Sequence, residues 1–234
     1  MFQNTIAVYV KHKVRKKRKG QYMIILKRVL IADDHVLLRD GLRQVVESTV
    51  DMTVADEASN GQEALNKIQE NNYDVVMLDI SMPGRDGLDI LAEIKRLKPS
   101  LPVLILSSHP EEQYALRVYR AGASGYISKM SPKSEIICAL QKVVLGKKYV
   151  NSKFAECFLS GLANASQEKP HNDLSNREYQ VFCLIASGKP VGKVADELAL
   201  SVKTISTYRS LILRKMNMKN NAEITRYAIE NQLV

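Results

Sequence analysis

Between residues 27 and 146 the sequence switches repeatedly between two hydrophobic periods. That alternation constrains the fold more than any other feature. Short, continuously apolar runs recur: "KRVLIADD" (27–34), "MTVADEAS" (52–59), "YDVVMLDI" (73–80), "PVLILSSH" (102–109) and "GYISK" (125–129). Each has the length and character of a strand. Between and after them lie segments with helical spacing: 35–49, 61–71, 87–99, 111–123 and 131–146. In the first of these, Leu38, Leu42, Val45 and Val46 share a face. In the last, Ser131 is expected as N-cap and Pro132 at the first helical position. Strands apolar throughout are buried on both sides, as in parallel sheets. The expected architecture is a doubly wound five-stranded parallel sheet with helices on both faces.

In such a sheet the functional residues gather at the carboxyl ends of the strands. Here those ends carry Asp33 and Asp34, then Asp79, then Ser107 and Ser108, then Lys129. Taken singly, each has a bland explanation. An aspartate after a strand is a turn former, a serine there is a cap, and a lone lysine is a solvated charge. Together they place three carboxylates, a hydroxyl and an ammonium at one edge. Such hard oxygen donors suit Mg²⁺, which uses one or two carboxylates and keeps several waters. The lysine and hydroxyl suit phosphoryl oxygens, and a carboxylate can itself become an aspartyl-phosphate. The turn "SMPG" after Asp79 clears space above it.

Past residue 147 the pattern stops. "NASQEKPHND" (164–173) reads as a linker, and a short helix is expected around 153–162. From Leu174 only helical patterns remain: 175–188, 191–200, 201–217 and 221–233. Ser175 with Glu178 forms a capping box. The second and third of these four helices are joined by a tight turn, as in a helix-turn-helix.

Charge follows the same division. The chain of 234 residues has a net charge of +9. Residues 1–28 hold nine basic residues and no acid, residues 29–173 sum to −4, and residues 174–234 sum to +4. An acidic domain followed by a basic one points to nucleic acid at the second. Residues 1–26 are expected to be a basic extension, disordered or reflecting a mis-assigned start with Met23 opening the first strand. Cys138, Cys157 and Cys183 are odd in number and form no CxxC pair, which suits a reducing cytosol. No apolar run approaches the roughly 20 residues of a membrane span, so no membrane partner and a cytoplasmic location are expected.

The segments "VLIADDH", "DVVMLDISMPGRDG", "LILSSH" and "GASGYISK" resemble, in order, the receiver domain of two-component response regulators. The segment "LSNREYQVFCLIASGKPVGKVADELALSVKTISTYRSLILRKM" resembles the LuxR-type helix-turn-helix. Together they resemble the NarL/FixJ class. The resemblance implies a flavodoxin-like receiver over 27–149, a linker over 150–173 and an all-α four-helix DNA-binding domain over 174–234. It implies Asp79 as phospho-acceptor and Mg²⁺ held by Asp33, Asp34, Asp79 and the backbone carbonyl of Ser81. It also implies Ser107 as switch hydroxyl, Tyr126 as switch aromatic and Lys129 on the phosphoryl group.

The implied partners are a sensor histidine kinase or phosphotransfer protein, double-stranded DNA, a second copy in a homodimer, and RNA polymerase. Lys203, Thr204, Ser206, Thr207, Arg209 and Ser210 are candidates to face bases. Lys193, Arg214 and Lys215 are candidates for phosphates, with helix-end dipole charge an equal explanation for Lys215. Two departures stand out. Met130 occupies a frequent proline position, and "TISTY" replaces the frequent "TVKxH", putting Ser206 where a lysine is common and Tyr208 where a histidine is.

An enzymatic alternative, a small-molecule phosphatase, lacks the second acid two residues past the nucleophile, which here is Ser81, and lacks a cap insertion. The remaining alternative is a DNA-binding regulator of the same fold that works without phosphorylation.

Overall fold

The computed structural model describes residues 14–16, 22–82, 85, 87–108, 111–151, 155, 169–231 and 233–234, the first two stretches up to residue 24 as backbone alone. Two short antiparallel strands, β1 (Val14–Lys16) and β2 (Tyr22–Ile24), pair Val14 with Ile24. These described residues of the basic extension are therefore extended and paired, not structureless. The rest of that extension and the helix expected around 153–162 lie outside the described residues, apart from Ala155, which is helical.

Five parallel strands follow: β3 (Lys27–Ala32), β4 (Met52–Ala58), β5 (Val75–Asp79), β6 (Val103–Ser107) and β7 (Gly125–Ser128). Their order is β4-β3-β5-β6-β7. The intervening helices are α1 (Val36–Glu47), α2 (Gly61–Glu70), α3 (Gly87–Leu97), α4 (Glu111–Arg120) and α5 (Lys133–Val144). The period-2 pleat sorts strand side chains onto two faces. Leu30, Ala32, Val76, Leu78, Val103, Ile105 and Tyr126 pack with α2, α3 and α4, while Val29, Ile31, Val75, Met77, Leu104, Leu106 and Ile127 pack with α1 and α5. Each fully buried aliphatic side chain contributes about 1.5–3 kcal/mol, so the sheet carries most of the stabilisation of this domain.

The chain leaves β3 first toward β4 and then toward β5 on its other side. This reversal of winding opens a crevice at the carboxyl ends of β3 and β5. Gly87 shapes the loop there. A Cβ on Gly87 would meet the backbone of Ile80, with the carbonyl oxygen at 2.7 Å, so α3 starts directly against the residue after Asp79.

One cap differs from expectation. α5 is capped by Pro132 in extended conformation, with Ser131 outside the helix. The Pro132 carbonyl accepts from both Glu135 and Ile136, which makes it the half-helical residue in the expected place of Ser131.

The helical region comprises a 3₁₀ turn (Pro170–Asp173), α6 (Asn176–Ala186), α7 (Val191–Glu197), α8 (Val202–Lys215) and α9 (Asn221–Glu230). The expected capping box is present, with the Ser175 side chain bonded to Glu178 N and Glu178 to Ser175 N. Gly188, with φ +83, ends α6: its N–H bonds Ile185 and that of Lys189 bonds Leu184, closing a left-handed C-cap. His171, in the 3₁₀ turn, is buried, and its Nδ1 lies 2.8 Å from the Tyr227 hydroxyl on α9. The end of the expected linker thus belongs to the packing of this helical unit.

Candidate functional site: an acidic strand-end pocket and an exposed helix face

The crevice brings the strand-end residues together. Asp33, Asp79 and Ser107 are fully buried. Lys129 Nζ lies 2.6 Å from Asp79 Oδ2 and 2.7 Å from Asp33 Oδ2, with its side chain only 8% exposed. Backbone pairing enforces this meeting. Lys129 N–H donates to Ser107 O at 2.8 Å, which extends the β6–β7 register by one residue. Asp33 N–H donates to Ala58 O, fixing the end of β3 to that of β4. Asp79 Oδ1 accepts from Ser81 N–H at 2.8 Å, so the loop after β5 turns tightly over the carboxylate.

Charge in the pocket is unbalanced. One ammonium faces two buried carboxylates, and Asp34, partly exposed, adds a third. Burial alone would lower Lys129, but the Asp79 and Asp33 carboxylates outweigh it and hold the ammonium above its ordinary value. Burial pushes the Asp79 carboxyl up, against the pull of Lys129 and the Ser81 N–H. A divalent cation would relieve the excess negative charge, and Asp34 Oδ1 is a buried oxygen without a hydrogen bond. The donor set therefore fits a hard divalent ion. Ligand atoms of Asp33, Asp34, His35 and Asp79 all lie within 4.8 Å of one another.

Tyr126 sits on β7 with its ring fully buried on the α4 side, in the same cluster as Tyr114, Ala115 and Val118. The sequence reading has this ring drawn inward on activation; in the structure it is already inside.

The second candidate surface is α8. Lys203, Ser206, Thr207, Ser210 and Arg214 are exposed and share one face at spacings of three and four. Lys193 is exposed on α7. The hydroxyls of Ser206, Thr207 and Ser210 each donate to the carbonyl four residues earlier. Thr204 is drawn into the Ser201 N-cap, its N–H 3.0 Å from Ser201 Oγ. Two expected contacts are engaged elsewhere. Arg209 Nε donates to Asn221 Oδ1 at 2.5 Å, joining α8 to α9. Lys215 Nζ lies 2.6 Å from Glu178 Oε2, an intradomain ion pair in place of a phosphate contact. Tyr208 is half-buried against the core of the helical unit, which accounts for an aromatic ring at that position.

A residue the sequence reading passed over joins the two parts. The Arg117 guanidinium on α4 lies over the Tyr179 ring of α6 at 4.0 Å, and donates to Leu174 O and His171 O at 2.8 and 2.5 Å. Tyr114 meets Tyr179 edge-on at 5.4 Å. His35 was also missed, though it stands beside Asp34 in the sequence.

The description "Response regulator receiver domain" matches residues 29–141, and "Bacterial regulatory proteins, luxR family" matches residues 172–228. The response regulator UvrY of Escherichia coli K12 is 35% identical over 206 residues, covering 88% of this chain and 94% of that protein. The chain belongs to the two-component response regulators, in their NarL/FixJ class. The response regulator also resembles the oxygen regulatory protein NreC of Staphylococcus carnosus, with 34% identity over 88% of this chain and 99% of that protein. Among solved structures, RcsB of Salmonella enterica serovar Typhimurium, bound to promoter rprA in the presence of the phosphomimetic BeF3⁻, superposes with TM-score 0.60. It shares 25% identity, covering 86% of this chain and 98% of that one. This response regulator therefore has a receiver domain and a LuxR-type DNA-binding domain, the architecture of transcription regulators. Among the described residues no helix is long and apolar enough to cross a membrane.

Proposed function

We propose that Asp79 is the phospho-acceptor and that its phosphorylation controls sequence-specific DNA binding by α8. The observation that carries this is the Lys129 ammonium bridging Asp79 and Asp33 at the winding reversal, below an acidic opening. One Asp79 carboxylate oxygen attacks the phosphorus of a phosphohistidine on a sensor kinase or phosphotransfer protein, and the histidine nitrogen leaves. Lys129 then moves its charge from carboxylate to phosphoryl oxygen, and the Ser107 hydroxyl donates to another. A Mg²⁺ ion held by Asp33, Asp34, Asp79 and the Ser81 carbonyl would supply charge neutralisation during transfer. The protein is read as a regulator, not an enzyme, acting in the cytoplasm.

In this reading the receiver spans 27–149, the linker 150–173 and the DNA-binding domain 174–234, after a basic extension of 1–26. Tyr126 and α4 pass the change on. α4 holds α6 through Arg117 while leaving the α8 face exposed. Control is thus read as orientation of the DNA-binding domain, not occlusion of its face. A homodimer on two half-sites needs both α8 helices about one helical turn of DNA apart, and a domain pinned to α4 cannot swing to that spacing. RNA polymerase is the natural downstream partner of such a dimer. The buried Tyr126 gives some support to the alternative, a regulator already in its working state without phosphorylation.

Acetyl phosphate with Mg²⁺, followed by intact mass, separates the two. The expected result is one added phosphoryl group, lost in Asp79→Asn and with EDTA. No addition under any donor, kinase included, would remove the reading.

A further inference from the structure

His35 is the one ligand-bearing side chain of the acidic pocket that phosphoryl transfer leaves without a role. We propose that His35 also makes this pocket a site for borderline divalent transition ions, Zn²⁺ above all, bound by His35 Nδ1 together with carboxylate oxygens of Asp33, Asp34 and Asp79. The inference rests on the reading of the pocket as a divalent-cation site.

The geometry carries it. His35 Nδ1 lies 3.2 Å from Asp33 Oδ1 and 3.1 Å from Asp34 Oδ1. Adjacent ligands on one ion with bonds of about 2.1 Å stand roughly 3.0 Å apart, so the nitrogen is already at the spacing of a neighbouring ligand. The position is built, not accidental. The His35 N–H donates to Asp33 Oδ1 at 2.8 Å, and Arg39 Nη1 donates to Asp33 O at 2.7 Å, which together hold the backbone from Asp33 to His35. The imidazole takes no part in capping α1, although His35 is the N-cap residue. Its ring is 65% exposed, so an ion can approach from solvent.

The donor set decides the ion. Mg²⁺ takes hard oxygens and keeps its waters, and gains little from an imidazole. Zn²⁺ and its neighbours bind imidazole nitrogen and carboxylate together, and follow a general order of affinity well above Mg²⁺. Both ions would draw on Asp33, Asp34 and Asp79, so they exclude each other. A transition ion at this pocket would then compete with phosphorylation of Asp79.

The test is isothermal titration of the full chain with ZnCl₂ and, separately, MgCl₂, for wild type, His35→Ala and Asp34→Asn. In wild type, Zn²⁺ is expected to bind at least tenfold tighter than Mg²⁺, and added Mg²⁺ to weaken the apparent Zn²⁺ affinity. His35→Ala should weaken Zn²⁺ at least tenfold and change Mg²⁺ by less than threefold. Because His35 makes no side-chain cap, the variant should fold, which its circular dichroism checks. Zn²⁺ affinity unchanged within threefold in His35→Ala overturns this inference and leaves the Mg²⁺ pocket standing. If Asp34→Asn weakens neither ion, the pocket itself is not a cation site and both readings fall.

Discussion

The Arg117 guanidinium of the receiver lies 4.0 Å from the centroid of the Tyr179 ring in the DNA-binding domain, and the same group donates to the carbonyls of His171 and Leu174. One side chain therefore closes three contacts between the two domains. A desolvated cation over an aromatic face contributes up to about 2 kcal/mol, and charge-assisted hydrogen bonds about 1.5–3 kcal/mol. Arg117→Ala is expected to separate the domains while each stays folded. Small-angle scattering should show a larger radius of gyration, and a double-mutant cycle with Tyr179→Leu a coupling of about 1–2 kcal/mol. An unchanged radius of gyration and zero coupling would mean that the contact holds nothing.

His171 makes this junction sensitive to acid. Burial first, then the nearby Lys169 and Arg117 charges, lower its pKa from 6.5 to about 4. The unfolded chain then binds more protons than the folded one between those values, so stability falls as pH drops through that window and is level above about 6.5. The slope reaches up to ~1.4 kcal/mol per pH unit. Urea denaturation at pH 7, 6 and 5 should show the decline, and His171→Gln should flatten it relative to wild type. Parallel declines in both would assign the effect to other groups.

Gly87 is a packing requirement of the pocket, since a Cβ there enters the Ile80 backbone. Gly87→Ala is expected to cost about 1–3 kcal/mol, as overpacking does, and to displace the loop that donates from Ser81 to Asp79. Equilibrium unfolding measures the first and phosphorylation rate the second. A neutral Gly87→Ala would show that α3 can back away freely.

Much of the acidic pocket was legible because its logic is local and repeated. Each strand is apolar on both faces, and each ends on a polar residue that parallel pairing must bring to one edge. The register of Ser107 with Ser128 then sets Lys129 beside Asp79 with no further information. What was not legible depends on distant partners. Nothing near Arg117 in sequence says that it meets carbonyls 54 and 57 residues away. Lys215 was balanced between phosphate and helix dipole, and its actual partner, Glu178, lies 37 residues back. The cap of α5 was misplaced by one residue because Ser131 and Pro132 each fit a cap rule and only the backbone bonds to the Pro132 carbonyl decide.

The α8 face offers a direct electrostatic test. Ser206 stands between Lys203 and Ser210 on the exposed face, and its hydroxyl is bonded back to Val202 O. Ser206→Lys adds a cation where DNA would lie. The slope of log K against log salt should steepen by about 0.9 if that lysine meets a phosphate. Anisotropy titrations from 50 to 200 mM salt measure it. An unchanged slope would place Ser206 away from the backbone.

The central claim is that phosphorylation of Asp79 is read out at α8. The most direct measurement is the affinity of the full chain for a duplex selected from random sequence, with and without acetyl phosphate, for wild type and Asp79→Asn. The expected result is binding at least tenfold tighter for phosphorylated wild type and no response in the variant. Equal affinity before and after a mass-verified phosphorylation would contradict the claim.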